Sequence, residues 1–275
     1  MMRDFPLPTR PLADLQHRAL RAPKPRPPAT PTPAQATLQV SWARHLDEVR
    51  AAQRLRHAVF ADEMGARLTP LATTPAGHDE DRHDAHCEHL LVRLEPQGEV
   101  IGTYRVMTPE AARRAGGWYS DTEFDFTPLA PLRDRVAELG RSCVHPDHRH
   151  GGVILALWGA LGAFMQAHHL DTMVGCASLS MRDGGHVAAS LWERLRQAHM
   201  ADPTWHVQPR LALPLATLRR DLPAEPPALI RGYLRCGAKL LGPPAWDPDF
   251  RTADLPMMLR LDDLPDRHRR HLLGH

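Results

Sequence analysis

Nine residues, Val136 to Val144, have the length and content of a strand that carries a carboxylate, Glu138, and a guanidinium, Arg141, with Gly140 between them. Residues three apart on a regular strand face opposite ways, so these two charges should diverge. A bulge at the strand glycine shifts the register by one residue and brings both to one face. A carboxylate held there is equipped to take the proton of an attacking amine. A backbone N–H released near Cys143 is equipped to polarise the carbonyl of an acyl donor. The packing alternative is a buried Glu–Arg pair that ties two strands together.

The strand runs into Pro146, Arg149, Gly151 and Gly152, and then into the apolar stretch Val153 to Ala167, which has the length of a core helix. Glycine-exposed amides, the positive end of that helix and the Arg149 cation together form an anion site. Cys143 and Val144 on the strand, with Arg149, Gly151 and Gly152 on the loop, are therefore the candidates for holding an acyl donor through a phosphate.

A second charged group lies upstream. Leu46 to Phe60 places Leu46, Val49, Ala52, Leu55 and Val59 at helical spacing, and Arg56 and Phe60 lie near its end. Met64 to Glu88 then reads as a long polar loop carrying Asp79, Asp81 and Asp84. Arg105 falls in the middle of the strand Val100 to Met107, where an unpaired cation is rare, so it is expected to pair with one of these aspartates. Three carboxylates in one loop are either a solvated acidic turn or a receiver for a cationic amino acid. Their spacing is not that of a calcium-binding EF-hand.

The elements that must position these residues alternate. Strands are expected at Leu38 to Trp42, His89 to Leu94, Thr172 to Ala177, around Trp205 to Leu211 and at Met257 to Leu261; helices are expected at Pro109 to Arg114, Asp183 to Met200 and Pro227 to Leu241. This order predicts an α/β fold with a mixed sheet flanked by helices. Residues 1–36, dense in proline, read as a disordered arm, residues 37–212 as the core, and residues 213–275 as a C-terminal extension packed on it.

Composition narrows the function class. A formal charge of +2 is too mild to argue for nucleic acid. Four separated cysteines without a CxxC pair and no secretion signal point to a reducing cytoplasm. The Val153 to Ala167 run falls short of the roughly 20 residues a membrane span needs. The 18 histidines sit without strong ligand spacing, so no metal site is expected. Cys143 and Cys176 read as buried small residues rather than nucleophiles.

Val144, Pro146, Arg149 and Gly152 resemble the central motif of the GNAT acyltransferases, which closes over the pyrophosphate of coenzyme A. Ile154 stands where that motif has a small residue, which favours a carrier with a single phosphodiester. Further blocks are similar, in the same order, to the ornithine acyl-[acyl carrier protein] N-acyltransferases across about residues 38–272: Arg56 to Gly65, Cys87 to Val92, Gly102 to Arg105, Tyr119 to Asp125, Glu138 to Val144, Gly175 to Ser178 and Pro244 to Phe250. Arg56, Phe60, Asp81, Asp84, Arg105, Glu138 and Arg141 also match, more distantly, the pattern of acyl-homoserine-lactone synthases.

The resemblance implies a GNAT-like fold and transfer of a long, 3-hydroxylated acyl chain from acyl carrier protein to the α-amine of ornithine, giving lyso-ornithine lipid. It makes Glu138 the catalytic base, with Arg141 beside it, and has Arg56, Phe60, Asp79, Asp81, Asp84 and Arg105 shape the amine site. No resident cofactor is implied, because 4′-phosphopantetheine arrives on the carrier. The enzyme would work in the cytoplasm, with peripheral contact at the inner membrane. None of Tyr104, Tyr119 and Tyr233 stands where this fold usually keeps the tyrosine that protonates the departing thiolate, which leaves that task to solvent. Two rivals remain. One is an acyl-homoserine-lactone-type or other amino-acid acyltransferase. The other is a non-catalytic membrane-surface binder using an Ile230 to Leu241 helix with Arg231, Arg235 and Lys239.

Overall fold

The computed structural model describes residues 37–149 and 151–273, so the proline-rich segment 1–36 lies outside the described residues. The described residues fold as one compact unit. Among the described residues ten strands and six α-helices follow one another as β1 (Thr37–Trp42), α1 (Leu46–His57), β2 (Glu88–Glu95), β3 (Glu99–Met107), α2 (Pro109–Ala115), β4 (Phe124–Asp125), β5 (Val136–Val144), α3 (Gly152–Ala167), β6 (Thr172–Ser180), α4 (His186–His199), β7 (Gln208–Pro209), α5 (Ala228–Arg235), β8 (Lys239–Leu240), β9 (Ala245–Asp247), β10 (Thr252–Arg260) and α6 (Asp266–Leu273).

The main sheet runs β1-β2-β3-β5-β6-β10-β8, with β9 also on β10, and β4 pairs with β7 apart from it. All pairings in the main sheet are antiparallel except β5 with β6. A parallel pair needs a crossover, and α3 supplies it from one face of the sheet. Its buried residues Val153, Leu157, Leu161 and Met165 pack on Leu90, Ile101, Val106 and Ala137 of the strands beneath. On the opposite face a second core gathers Trp118, Phe124, Phe126, Val174 and Met258. The mixed sheet and its covering helices are those the element order predicts.

Three expectations change. The segment 213–275, read as packing on the core, contributes β8, β9 and β10 to the sheet itself. The Pro227 to Leu241 helix ends at Arg235, because Gly237 turns the chain at φ +95°, where an added Cβ would strike the Asp263 carbonyl oxygen at 2.6 Å. Lys239 then lies in a strand, so the basic helical face imagined for membrane contact does not form. The strand around Trp205 to Leu211 shrinks to Gln208–Pro209, since Pro209 has no N–H to carry a ladder further. No helix among the described residues is long and apolar enough to cross a membrane.

Candidate active site

Two strands part at the centre of the sheet. β5 and β6 pair only from Val136 with Thr172 to Glu138 with Val174, and then diverge. Gly175 stands at the fork, where a Cβ would lie 2.3 Å from the Leu139 carbonyl oxygen, so only glycine lets the strands separate here. On its other edge β5 carries the anticipated bulge, since Thr103 pairs with Cys143 but Arg105 with Gly140. The left-handed residue is Arg141, at φ 49°, rather than the glycine before it. One extra residue in β5 turns Arg141 onto the face that holds Glu138, and Tyr119 touches both. Its amide donates to Glu138 Oε2 at 2.8 Å, and its ring lies 4.7 Å from the Arg141 guanidinium.

A cavity of about 500 Å³ fills the gap and reaches both faces of the sheet. On the α3 side it is apolar, walled by Trp158, Leu161, Met173, Ile230, Met257 and Leu259. On the other side stand Glu138, Ser120, Tyr119 and Cys176. Glu138 is buried and accepts from Ser120 N at 2.7 Å and Ser120 Oγ at 2.5 Å as well as from Tyr119. Burial raises its pKa against the opposing pull of these donors and of Arg105. Each of the two functional groups was legible in sequence; the Ser120 and Tyr119 clasp was not, because it comes from a turn between α2 and β4.

The aspartate loop is placed differently from expectation. Asp79, Asp81 and Asp84 do not line the cavity; they are paired with three arginines. Arg56, wholly buried, donates to Asp79 Oδ2 at 2.8 Å and to both Asp84 oxygens at 2.8 and 2.7 Å. Arg105 donates to Asp81 at 2.7 Å and Asp84 at 3.1 Å, fulfilling the pairing expected of it. Arg141 donates to Asp81 at 3.0 Å and lies between the rings of Tyr119 and Phe250. Burial opposes charge on Asp81 and Asp84, but the guanidinium charges of Arg105 and Arg56 outweigh it and hold both carboxyls below their ordinary range. The reading of these aspartates as direct receivers of a cationic amine is therefore corrected. Their charge is already spent on Arg105 and Arg141, which do reach the cavity together with Phe60. His83 packs edge-on to Tyr119 at 5.7 Å.

The donor loop keeps its helix end and loses its free cation. Gly151 precedes α3 at φ +94° with no side-chain cap, so the first helical amides have no side chain closing them. His145 N–H donates to Ile101 O, and alternation turns the Val144 N–H to the other edge of β5, where β6 has left. Arg149, however, makes a two-pronged pair with Glu63 at 2.7 and 2.7 Å. Glu63 closes the π-helical turn Ala58–Glu63 that follows α1. Burial pushes the Cys143 thiol up to about 12, which removes it as a nucleophile. Tyr233 is a further addition: its hydroxyl meets that of Tyr104, its ring stacks on Trp158, and it lines the cavity.

Residues 55–159 match the acetyltransferase (GNAT) domain family. The chain is 34% identical over 255 residues to L-ornithine N(alpha)-acyltransferase of Rhodobacter capsulatus, covering 86% of this chain and 95% of the relative. It is 35% identical over 253 residues to the Brucella abortus protein of the same name, with 84% and 87% covered. The chain belongs to the L-ornithine N(alpha)-acyltransferase family. A more distant similarity, 27% over 133 residues, links 46% of the chain to 66% of an acyl-homoserine-lactone synthase of Vibrio anguillarum. The protein is thus a GNAT-fold acyltransferase, and the parted strands frame its candidate active-site cleft.

One group in this L-ornithine N(alpha)-acyltransferase family member was missed as a site. Glu123, Asp247 and Asp254 line the cavity, with carboxylate oxygens within 4.8 Å of one another. Glu123 and Asp247 lie inside the segments Tyr119 to Asp125 and Pro244 to Phe250, which resemble the ornithine enzymes but carry no residue of the acyl-homoserine-lactone pattern. That difference was the available signal.

Proposed function

We propose that the enzyme acylates the α-amine of ornithine with a long, 3-hydroxylated acyl chain delivered as an acyl-carrier-protein thioester, giving lyso-ornithine lipid. The observation that carries this reading is the cavity itself, which joins an apolar half to the half where Glu138 stands, across the gap between β5 and β6. The acyl chain occupies the Trp158–Met257 side and the amino acid the Glu138 side, so thioester and amine meet at the fork. The names of the relatives support ornithine as the acceptor.

The α-ammonium loses a proton to Glu138, directly or through water. The freed nitrogen attacks the thioester carbon, the carbonyl oxygen gains charge, and an amide on the open edge of β5 stabilises it. The carbon–sulfur bond then breaks, and the thiolate takes a proton. Tyr233, a phenol kept protonated by burial, is the donor on the cavity wall, in place of the solvent assigned from sequence. The phosphodiester of the carrier binds at the α3 N-terminus and draws Arg149 from Glu63. Ile154, which lines the cavity rather than opening it, argues for this single phosphate over a pyrophosphate.

The test is mass spectrometry of lipids from a host that lacks ornithine lipids and expresses the chain, with purified enzyme assayed on carrier-protein and coenzyme A thioesters of one acyl group. Accumulation of lyso-ornithine lipid and preference for the carrier thioester are expected. An acylated product of a different amino acid, or equal use of both donors, would overturn the corresponding half of the reading.

A further inference from the structure

No step of acyl transfer uses Glu123, Asp247 or Asp254, yet all three face the active-site cavity. Asp254 is 3% exposed, and its Oδ1 accepts no hydrogen bond; Oε2 of Glu123 is likewise buried without a donor. Asp247 is tied at one oxygen only, where Oδ1 accepts from the amides of Asp249 at 2.8 Å and Phe250 at 2.9 Å. Among the described residues, none of the three makes an ion pair. Three carboxylates gathered without a cation, one buried and two half-buried, are costly, and burial with mutual repulsion raises Glu123 well above its ordinary range and Asp254 to about 6. A cation entering the cavity would relieve that cost.

The geometry suits one kind of cation. Three oxygens no more than 4.8 Å apart leave a point within about 2.8 Å of each, which is the N–H···O distance, and an ammonium has three donors to send there. A divalent metal would require additional hard oxygen ligands. The neighbours are the hydroxyls of Thr252, which donates to Asp254 Oδ2 at 3.3 Å, and of Ser178, together with the soft sulfur of Cys176, 3.5 Å from a Ser120 hydroxyl already given to Glu138. The same contacts measure the separation. Glu138 touches Ser120, Ser120 touches Cys176, and Cys176 touches Glu123, so the base and the acidic group stand on one wall a few contacts apart. Two amines joined by five single bonds reach about 6 Å.

We propose that Glu123, Asp247 and Asp254 form the subsite for the side-chain ammonium of the acceptor amino acid and set the enzyme's preference for a cationic acceptor. This rests on the ornithine-acylation reading and adds to it the residues that select the side chain. The paired aspartates of the loop, by contrast, act on the acceptor only through Arg105 and Arg141.

The experiment compares ornithine with norleucine, in which a methyl group replaces the ammonium, using the full chain and one acyl thioester. Wild-type kcat/KM should favour ornithine by about 100-fold or more, as expected when buried polar groups lose their partner. Asp254→Asn and Glu123→Gln should each lower the ornithine-to-norleucine ratio of kcat/KM by about 10-fold or more, chiefly through a higher KM for ornithine. Norleucine turnover reports that each variant is folded; thermal stabilisation by ornithine, present in wild type and absent in the variants, gives a second readout. Variants that keep the preference, or that lose both acceptors equally, would overturn the assignment while leaving ornithine acylation standing. So would loss of wild-type activity on chelation with recovery on adding calcium or magnesium, which would make the group a metal site. A wild-type enzyme that prefers norleucine would instead remove the ornithine reading and the subsite together.

Discussion

Asp79, Asp81 and Asp84 are ion-paired with Arg56, Arg105 and Arg141, whereas Glu123, Asp247 and Asp254 make no ion pair among the described residues, although Arg105 and Arg141 line the same cavity. Both groups hold three carboxylates, but only the second lines the cleft; the first reaches it through Arg105 and Arg141. The first has its charge balanced inside the protein and serves as a frame that aims Arg105 and Arg141. The second is left unbalanced on the cavity wall, which is the arrangement of a site awaiting a cation. Buried charge alone is a poor guide to function; the presence or absence of the internal partner separates architecture from binding.

Removing one partner of the balanced group should have the largest effect. Arg56→Met leaves Asp79 and Asp84 buried without their main guanidinium and should cost about 3–5 kcal/mol, read from urea unfolding. A loss below about 1 kcal/mol would show that the frame does not depend on Arg56. Next in size is Glu138→Gln, between the two groups. Turnover should fall roughly 100-fold or more, about 3 kcal/mol of barrier, with the unfolding midpoint little changed. The acidic limb of kcat/KM in wild type should lie above the ordinary carboxylate range, because burial raises Glu138. Near-native turnover in the variant would make Glu138 structural.

The two groups should also respond to pH with opposite sign. Asp81 and Asp84 titrate below their unfolded values, so their contribution is present above about pH 4 and is lost as pH falls through the native values. Asp254 titrates near 6 rather than 3.8, so the native state holds the extra proton and stability declines as pH rises from about 4 through about 6. Asp254→Asn should therefore leave stability at pH 4 almost unchanged and raise it at pH 7.5 by about 3 kcal/mol, measured by thermal unfolding at both values without acceptor. An equal shift at both would contradict the unbalanced reading. The smallest effect is expected at the mouth. Glu63→Gln releases the exposed Arg149 and should lower KM for a carrier thioester by about two- to five-fold, with a steeper loss on adding salt. Unchanged KM would place the carrier phosphate elsewhere.

Much of this architecture is written locally. Val136–Val144 and Thr172–Ser180 are apolar runs of strand length, and α3 is an apolar run of helix length, so their identity follows from pattern alone. Gly140 announced an irregular strand because glycine there serves no packing purpose, and the bulge follows one residue later. Resemblance added Glu138, Arg141 and the Asp–Arg group, since their types and order survive in a linear pattern. Spacing alone, however, carries α5 on to Leu241, past Gly237, because the apolar residues beyond the glycine imitate a helical pattern.

Which carboxylates are paired is not a local property. Asp79, Asp81 and Asp84 look like a binding loop until α1, β3 and β5 bring Arg56, Arg105 and Arg141 against them. Glu123, Asp247 and Asp254 look unrelated until a turn before β4, the end of β9 and the start of β10 converge beside the fork. Ser120 meets Glu138, and Tyr233 meets Tyr104, for the same reason. Backbone preference and side-chain periodicity act over a few residues, so the chain by itself determined its strands, its helices and the types of its reactive groups. Charge balance, desolvation and the width of a cleft depend on every neighbour in space, and only the packed sheet decided them.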